Sequence, residues 1–450
     1  MTQAERAAQR VYDELLTRVG EANPRPRIEP ARRLAELAGT PQLSYPVIQV
    51  AGTNGKTSTS RAIESLLRAH GMRTGLFTSP HLVSFTERFQ LDGSPVGGQT
   101  LAEAWDELQP PLQVVDAELA EAGQGPITFF EALAVLAFTL FADAPVDVAV
   151  IEVGMGGEWD ATNIADAEIA VFTPIDLDHT AILGSDIATI ARTKAGIVKS
   201  GSTAVSAAQR PEALAELAEA AAYQGAHLYV AGRDFALADD RLAVGGRQID
   251  ARGLNGHAYD PAFVPLHGVH QAENVVLAIA AVEAFLGAER PIPEEVLDEG
   301  LAQLTSPGRL QLIGTDPVVY VDAAHNPHGA EALARAVTES FTFAELALVV
   351  GVLGEKDVVG LLQALAPIAD RVILTAVDSP RSLDASGLAE LADGVIEGVP
   401  LEVVDALPGA LDTARAWAAE AGGRAVLVAG SVLLAGEAVA HARAEGWGIA

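Results

Sequence analysis

The run Val47-Ile48-Gln49-Val50-Ala51 leads straight into Gly52-Thr53-Asn54-Gly55-Lys56-Thr57-Ser58. An apolar strand that stops at a glycine turn and restarts as a helix aims free backbone N–H groups at one point. The positive end of the helix dipole is aimed there too, and a polyphosphate can sit at that point. Gly52 and Gly55 let the backbone come close, Lys56 reaches the outer phosphates, and Thr57 or Ser58 faces a phosphate or a magnesium ion. The implied ligand is a nucleoside triphosphate.

Other chemistry-bearing residues follow at the ends of apolar runs. Val148-Ala149-Val150-Ile151 ends on Glu152 and a flexible Val153-Gly154-Met155-Gly156-Gly157. A carboxylate at the end of a buried strand is costly unless a cation meets it, so Glu152 is a magnesium candidate. Ile169–Pro174 leads to Asp176-Leu177-Asp178-His179, which puts an imidazole beside the same sheet edge; taken alone, His179 reads more often as a capping or packing residue. The basic residues are almost all arginine, and the four lysines are Lys56, Lys194, Lys199 and Lys356. A lysine kept against that bias is suited to work that a guanidinium cannot do. Lys194, in a turn of small residues, is a candidate for burial, which favours the neutral amine. A neutral amine reacts with carbon dioxide to give a carbamate; a surface salt bridge is the plainer reading. Further on, Pro307-Gly308-Arg309 and Asp322-Ala323-Ala324-His325-Asn326-Pro327 are polar clusters at strand boundaries. The second equally fits a helix start with Asn326 as cap and Pro327 at the first position, and both readings can hold together.

The elements that position these groups alternate strand and helix, the pattern of parallel sheets flanked by helices. Strands are expected at Val47–Ala51, Val146–Val153, Ile169–Pro174 and Thr203–Ala207. Helices are expected at Ser58–His70, Phe129–Ala142, Ile187–Lys194 and Pro211–Tyr223. Leu228–Ile249 reads as a small hairpin excursion, and Asn274–Leu286 as an apolar helix. A second alternating series then runs from Val318–Val321 to Ala425–Ala429. The fold expected is α/β, with a larger mostly parallel P-loop domain over 1–303 and a smaller Rossmann-like domain over 304–450, joined near Leu304–Gly308. A crevice at the carboxyl ends of the strands is the expected reaction site.

Composition narrows the class. At 450 residues one core is too few, because cores stop growing near roughly 250–300 residues. The formal charge of −31 opposes nucleic-acid binding, which needs a basic field. There is no cysteine, hence no disulfide or thiolate metal site. No signal-like segment and no apolar stretch of about 20 residues is read, so the expectation is a cytoplasmic protein without a membrane partner.

Lined up, these segments resemble the folylpolyglutamate synthase and dihydrofolate synthase family, relatives of the Mur-type amino-acid ligases. The likeness covers nearly the whole chain. It rests on Gly52–Ser58, Thr78-Ser79-Pro80-His81-Leu82 with Glu87-Arg88, Thr128-Phe129-Phe130-Glu131, Glu152–Gly157, and Asp160-Ala161-Thr162-Asn163. It continues through Asp178-His179, Lys194-Ala195-Gly196-Ile197, His270-Gln271 with Asn274, Pro307-Gly308-Arg309, Asp322–Pro327 and Gly430-Ser431. The resemblance implies ATP-dependent addition of L-glutamate to folates and to dihydropteroate through an acyl phosphate, by a monomer. It implies that Ser79, Glu152 and His179 hold two magnesium ions and that Lys194 is carbamylated beside the second. Asn274 and Asp322 would contact the adenosine, and Lys56 and Arg309 the phosphates. His325 and Ser431 would lie near the glutamate. Thr128, Phe130, Asp160 and Ala161 would line the pterin pocket, with Pro80 and Arg88 on a loop beside it. Two departures stand out: Glu158 where the family usually has arginine, and Thr57 where it often has glycine. The alternative, a Mur-type cell-wall ligase, generally carries a domain ahead of the phosphate loop, and only about 50 residues precede Gly52 here.

Overall fold

The computed structural model describes residues 2–20 and 25–448. The chain divides into two compact units. One comprises Met1–Arg241, Gln248–Val264 and Ala272–Leu304; the other comprises Leu242–Arg247, Pro265–Gln271 and Thr305–Ala450.

The strands of the first unit's main sheet are β1 Val47–Ala51, β2 Thr74–Phe77, β3 Phe89–Leu91, β4 Ser94–Pro95, β5 Val148–Glu152, β6 Ile169–Phe172, β7 Thr203–Ser206 and β8 His227–Val230. They stand in the order β4-β3-β2-β5-β1-β6-β7-β8. β2, β5, β1, β6, β7 and β8 are parallel neighbours, while β3 and β4 return antiparallel at one edge. Strands covered on both faces read as continuous apolar runs, and β1, β5 and β6 are buried at every position. Register places Val50 beside Glu152 and Ala51 beside Phe172. The residues that follow these strands therefore emerge together at one edge. The helix Phe129–Asp143 is apolar on nearly every side and almost wholly buried, as expected for a helix in the interior of a large core.

The excursion expected at Leu228–Ile249 is different in the structure. His227–Val230 is the edge strand of the main sheet, and the excursion is a separate three-stranded sheet of β9 Ala236–Ala243, β10 Gly246–Arg252 and β11 Ala258–Val264. A four-residue apolar run carries no local mark of the sheet it joins, so tertiary pairing decides.

The second unit's sheet contains β12 Gln311–Thr315, β13 Val318–Val321, β14 Glu345–Val350, β15 Arg371–Ala376, β16 Leu401–Ala406 and β17 Arg424–Ala429, ordered β12-β13-β17-β14-β15-β16. All are parallel except β12, which forms a hairpin with β13. Among the described residues one helix, Val269–Leu286, is long and apolar enough to cross a membrane by composition, and 67% of its apolar window is buried inside the protein.

Candidate active site

The phosphate loop is built by backbone geometry that only glycine supplies cheaply. Gly52 has φ +147°, and a Cβ there would lie 1.8 Å from Thr173 Oγ1. Gly55 has φ +90°, and its Cβ would stand 2.6 Å from Asn274 Oδ1. Both values lie where L side chains are strained. Asn274, expected at the adenosine, thus lies against the loop itself. Thr53 is anchored by its Oγ1, which donates to Asp176 O at 2.9 Å. The helix Lys56–Ala69 starts directly after Gly55, so its first N–H groups have no carbonyl one turn earlier to bond. Lys56 Nζ arches back over the loop and donates to Gly52 O at 3.2 Å and Thr53 O at 3.1 Å.

One residue further on, Thr57 Oγ1 donates to both oxygens of Glu152, at 2.9 and 3.0 Å. Ser79 N donates to Glu152 Oε2 at 3.3 Å. Glu152 is 1% exposed. Three segments far apart in sequence thus meet at one carboxylate: the helix start, the end of β5 and the turn after β2. His179 is exposed, has φ +51° and holds its Nε2 3.8 Å from Asp178 Oδ2. Among the described residues no three His, Cys, Asp or Glu side chains form a metal-binding group.

Lys194 is buried, and its Nζ donates to Gly52 O at 2.8 Å. Burial pushes its pKa down to about 7, aided by the charge on Lys56 and opposed by Asp178 and Asp160. Small residues bring it there. A Cβ on Gly157 would come within 2.6 Å of Lys194 O and 2.7 Å of Thr193 O, and one on Gly196 within 2.5 Å of Glu158 Cα. The glycine run after β5 and the end of the helix Ile187–Ala195 therefore touch backbone to backbone, further joined by Glu158 N donating to Thr193 O at 2.8 Å. Glu158 itself is exposed.

The residues expected at the pterin lie close to this edge. Asp160 is engaged as a structural anchor: Oδ2 accepts from Met155 N at 2.9 Å, and Oδ1 from Thr162 N at 2.9 Å and Thr162 Oγ1 at 2.5 Å. Burial raises its pKa against these hydrogen bonds. Ala161, buried, follows it in a short 3-10 turn. Thr128 caps the helix Phe129–Asp143 and exchanges hydrogen bonds with Glu131. Phe130 underlies Gly154, where a Cβ would be 2.3 Å from its ring. Pro80 is exposed after a cis peptide bond to Ser79. Arg88, 2% exposed, donates from Nε to His81 Nδ1 at 2.9 Å and covers the Phe129 ring at 5.5 Å. Burial first, then the Arg88 charge, lowers the His81 pKa to about 3, so the ring is the neutral acceptor that this bond requires.

In the second unit, buried Asp322 accepts from Leu310 N at 2.9 Å and Ala324 N at 2.8 Å. It thereby clamps the Gly308–Leu310 turn to the end of β13. Burial raises its pKa; the Arg309 guanidinium is the largest opposing influence. His325 Nδ1 lies 3.0 Å from Ala323 O. Asn326 caps the helix Pro327–Ser340 through Gly329 N at 2.8 Å, so the structural reading of that motif holds. Gly430 N donates to Ala324 O at 3.0 Å, bringing the end of β17 beside the His325 turn. There buried Ser431 caps the helix Val432–Ala444 by accepting from Leu433 N.

Comparison with known proteins identifies the family. Residues 50–282 match the Mur ligase middle domain, and residues 308–432 the Mur ligase glutamate ligase domain. The dihydrofolate synthase/folylpolyglutamate synthase of Mycobacterium tuberculosis is 42% identical over 92% of this chain and 90% of its own length. This chain belongs to the folylpolyglutamate synthase/dihydrofolate synthase family of Mur-type ligases. A solved structure of M. tuberculosis folylpolyglutamate synthase complexed with ADP superposes with a TM-score of 0.93 at 40% identity, covering 97% of this chain and 98% of that one. A bifunctional folylpolyglutamate synthase/dihydrofolate synthase solved with Mn, AMPPNP and L-glutamate bound gives 0.79 at 29% identity, covering 94% and 95%.

For a synthase of this family, sequence reasoning passed over residues whose only signal is three-dimensional. Tyr12 stacks on Phe85 at 4.8 Å and meets His81 edge-on at 5.4 Å, and nothing in its helical context marks it. Gly157 was legible only as flexibility, whereas its function is close packing. Replacing Gly157 with alanine is expected to destabilise the synthase by about 1–3 kcal/mol, the usual cost of overpacking. It should also depress turnover by displacing Lys194; a melting temperature equal to that of the wild type would contradict this.

Proposed function

We propose that this synthase joins L-glutamate to reduced folates, extending polyglutamate tails, and also to dihydropteroate, at the expense of ATP. The observation that carries the reading is the meeting of Thr57, Glu152 and Ser79 at the mouth of a phosphate loop whose Gly52 carbonyl is held by a buried lysine. The name of the M. tuberculosis relative and the AMPPNP- and L-glutamate-bound relative support it.

In this reading the first unit, over about 1–303, holds the nucleotide through Gly52, Thr53, Asn54, Gly55, Lys56, Thr57, Ser58 and Asn274. Thr128, Phe130, Asp160 and Ala161, with Pro80 and Arg88, serve the pterin. In the second unit, over about 304–450, Arg309 serves a phosphate, Asp322 the adenosine, and His325 and Ser431 the incoming glutamate. The hydroxyls and carboxylate at Thr57, Ser79 and Glu152 are hard oxygen donors that suit magnesium. Two ions held by Ser79, Glu152 and His179 would neutralise charge on the phosphoryl oxygens. A carbamate on Lys194 would supply a further anionic oxygen: the neutral amine forms an N–C bond to carbon dioxide and releases one proton. We place the enzyme in the cytoplasm as a monomer.

The substrate carboxylate attacks the γ-phosphorus, forming an O–P bond as the bond to ADP breaks. The glutamate amine then adds to the acyl carbonyl, and phosphate leaves from the tetrahedral intermediate. Lys56 and the loop N–H groups are fixed before reaction, so they stabilise developing charge without reorganising. Alignment of the reactants supplies much of the remaining acceleration.

The test is ADP release by the purified protein with L-glutamate, magnesium and either dihydropteroate or tetrahydrofolate, with product masses determined. Each substrate should gain one glutamate per turnover. Turnover with tetrahydrofolate alone would restrict the enzyme to tail extension. Turnover with neither would return the cell-wall ligase as the better reading.

A further inference from the structure

Gln49 stands in the middle of β1, is 0% exposed and is the one polar side chain of that strand. Register places it between Ile151 of β5 and Ala170 of β6. An amide in such a setting is costly unless its polar atoms are bonded. Nε2 donates to Thr162 Oγ1 at 2.9 Å, across 113 positions of sequence. Oε1, however, is sealed from solvent and has no hydrogen-bond partner among the described residues. As a stabilising device the residue is poor, since one hydrogen bond is gained while one buried carbonyl is left unpaired. An apolar side chain of the same size would serve the strand better, so the amide is of use only for what its one bond directs.

That bond directs a proton. The Gln49 NH2 group can only donate, so Thr162 Oγ1 accepts from it and turns its own proton to Asp160 Oδ1, 2.5 Å away. With the amide reversed, Thr162 would have to donate to Gln49, and no proton would remain between Thr162 Oγ1 and an ionised Asp160. Gln49, Thr162 and Asp160 are all buried, and hydrogen bonds chained in a buried setting reinforce one another. Asp160 also accepts from Thr162 N and Met155 N. An ionised carboxylate has about four acceptor sites, so these three donors leave Oδ2 able to take one more N–H.

We propose that Gln49 is a positioning residue for Asp160: by fixing the Thr162 hydroxyl as a donor, it holds the Asp160 carboxylate in place as an acceptor for the N–H groups of the pterin. Gln49 then acts through Thr162 and Asp160 rather than on substrate. The kinetic consequence rests on the reading of Asp160 as a pterin residue; the effect on Asp160 itself does not.

The test is Gln49→Met on the full-length protein, with Thr162→Val and Thr162→Ser beside it. Methionine fills the volume and Thr162 keeps Asp160 as its acceptor, so no further group is left unpaired and the melting temperature should not fall. Without ligands, the amides of Met155 and Thr162, both bonded to Asp160, should exchange at least about threefold faster, while those of β1 keep wild-type protection. The folate KM should rise about tenfold, with kcat and the ATP KM within about twofold. Gln49→Met should add little in a Thr162→Val background, because Gln49 acts through that hydroxyl. Thr162→Ser, which retains the hydroxyl, should recover most of the folate affinity lost in Thr162→Val. A wild-type folate KM in Gln49→Met overturns the proposal, and so does wild-type exchange at Met155 and Thr162. A lowered melting temperature with both KM values rising together marks a merely structural amide and overturns it too, as does failure of both Gln49→Met and Gln49→Leu to fold. A wild-type enzyme without folate turnover would refute the substrate reading, and the exchange result alone would then decide whether Gln49 positions Asp160.

Discussion

If Lys194 carries the proposed carbamate, replacing it with alanine is expected to lower glutamate ligation by about 10²- to 10³-fold, the scale on which loss of one preorganised charge-stabilising group is felt. Formate or acetate, small enough for the space the side chain vacates, restores part of the rate. Lys194→Arg is no better than alanine, because a guanidinium remains protonated and cannot take up carbon dioxide. The basis is the burial of Lys194 against Gly52 O and the resulting pKa of about 7. The sign follows directly: below pH 7 the amine is mostly protonated and inert toward carbon dioxide, and above it the neutral, reactive form dominates. With dissolved carbon dioxide held equal at the two pH values, activity of protein stripped of carbon dioxide should therefore recover slowly at pH 6 and faster at pH 8. Intact mass under non-acidic conditions should show the added mass of one carbon dioxide. Bicarbonate-independent activity at both pH values, with full activity in the alanine variant, would remove the carbamate from the mechanism.

Lys56→Ala should be as damaging, with kcat down about 10²- to 10³-fold and thermal stability nearly unchanged. The side chain is half-exposed and bonds to loop carbonyls rather than to the core, and substitutions of that kind rarely shift stability by more than about 0.5 kcal/mol. Lys56→Arg should recover little, because the planar guanidinium does not fit the two carbonyls, of Gly52 and Thr53, that now seat a compact ammonium. Single-turnover ADP formation separates this from nucleotide binding. ADP affinity should fall far less than the chemical step, since backbone N–H groups still hold the phosphates. A variant that retained a tenth or more of the wild-type single-turnover rate would show that the lysine is dispensable to the chemistry.

Local chemistry was legible directly. Val47–Ala51 forms the strand expected of it, and the glycine turn and the helix start follow at once, because a buried parallel strand and a glycine turn are written in consecutive residues. Asn326 and Pro327 announced a helix start for the same reason. The long helix Gly98–Glu121 escaped notice because Pro110 and Pro111 lie inside it, and proline ordinarily signals a helix end. β2 is only four residues long, too short for periodicity to distinguish it from a loop.

What the sequence alone determined is therefore the set of short, contiguous devices: a phosphate cradle, a carboxylate at a strand end, capped helices and an α/β alternation. What only the tertiary structure decided is which of them meet. Thr57 reaches Glu152 across 95 positions and Lys194 reaches Gly52 across 142, and neither spacing has any local signature. Both contacts exist because β5 and β6 flank β1 in a strand order different from the chain order. The same burial that brings Lys194 to the loop lowers its pKa. Pairing between distant strands is set by packing summed over the whole core, and that sum cannot be read from any one segment.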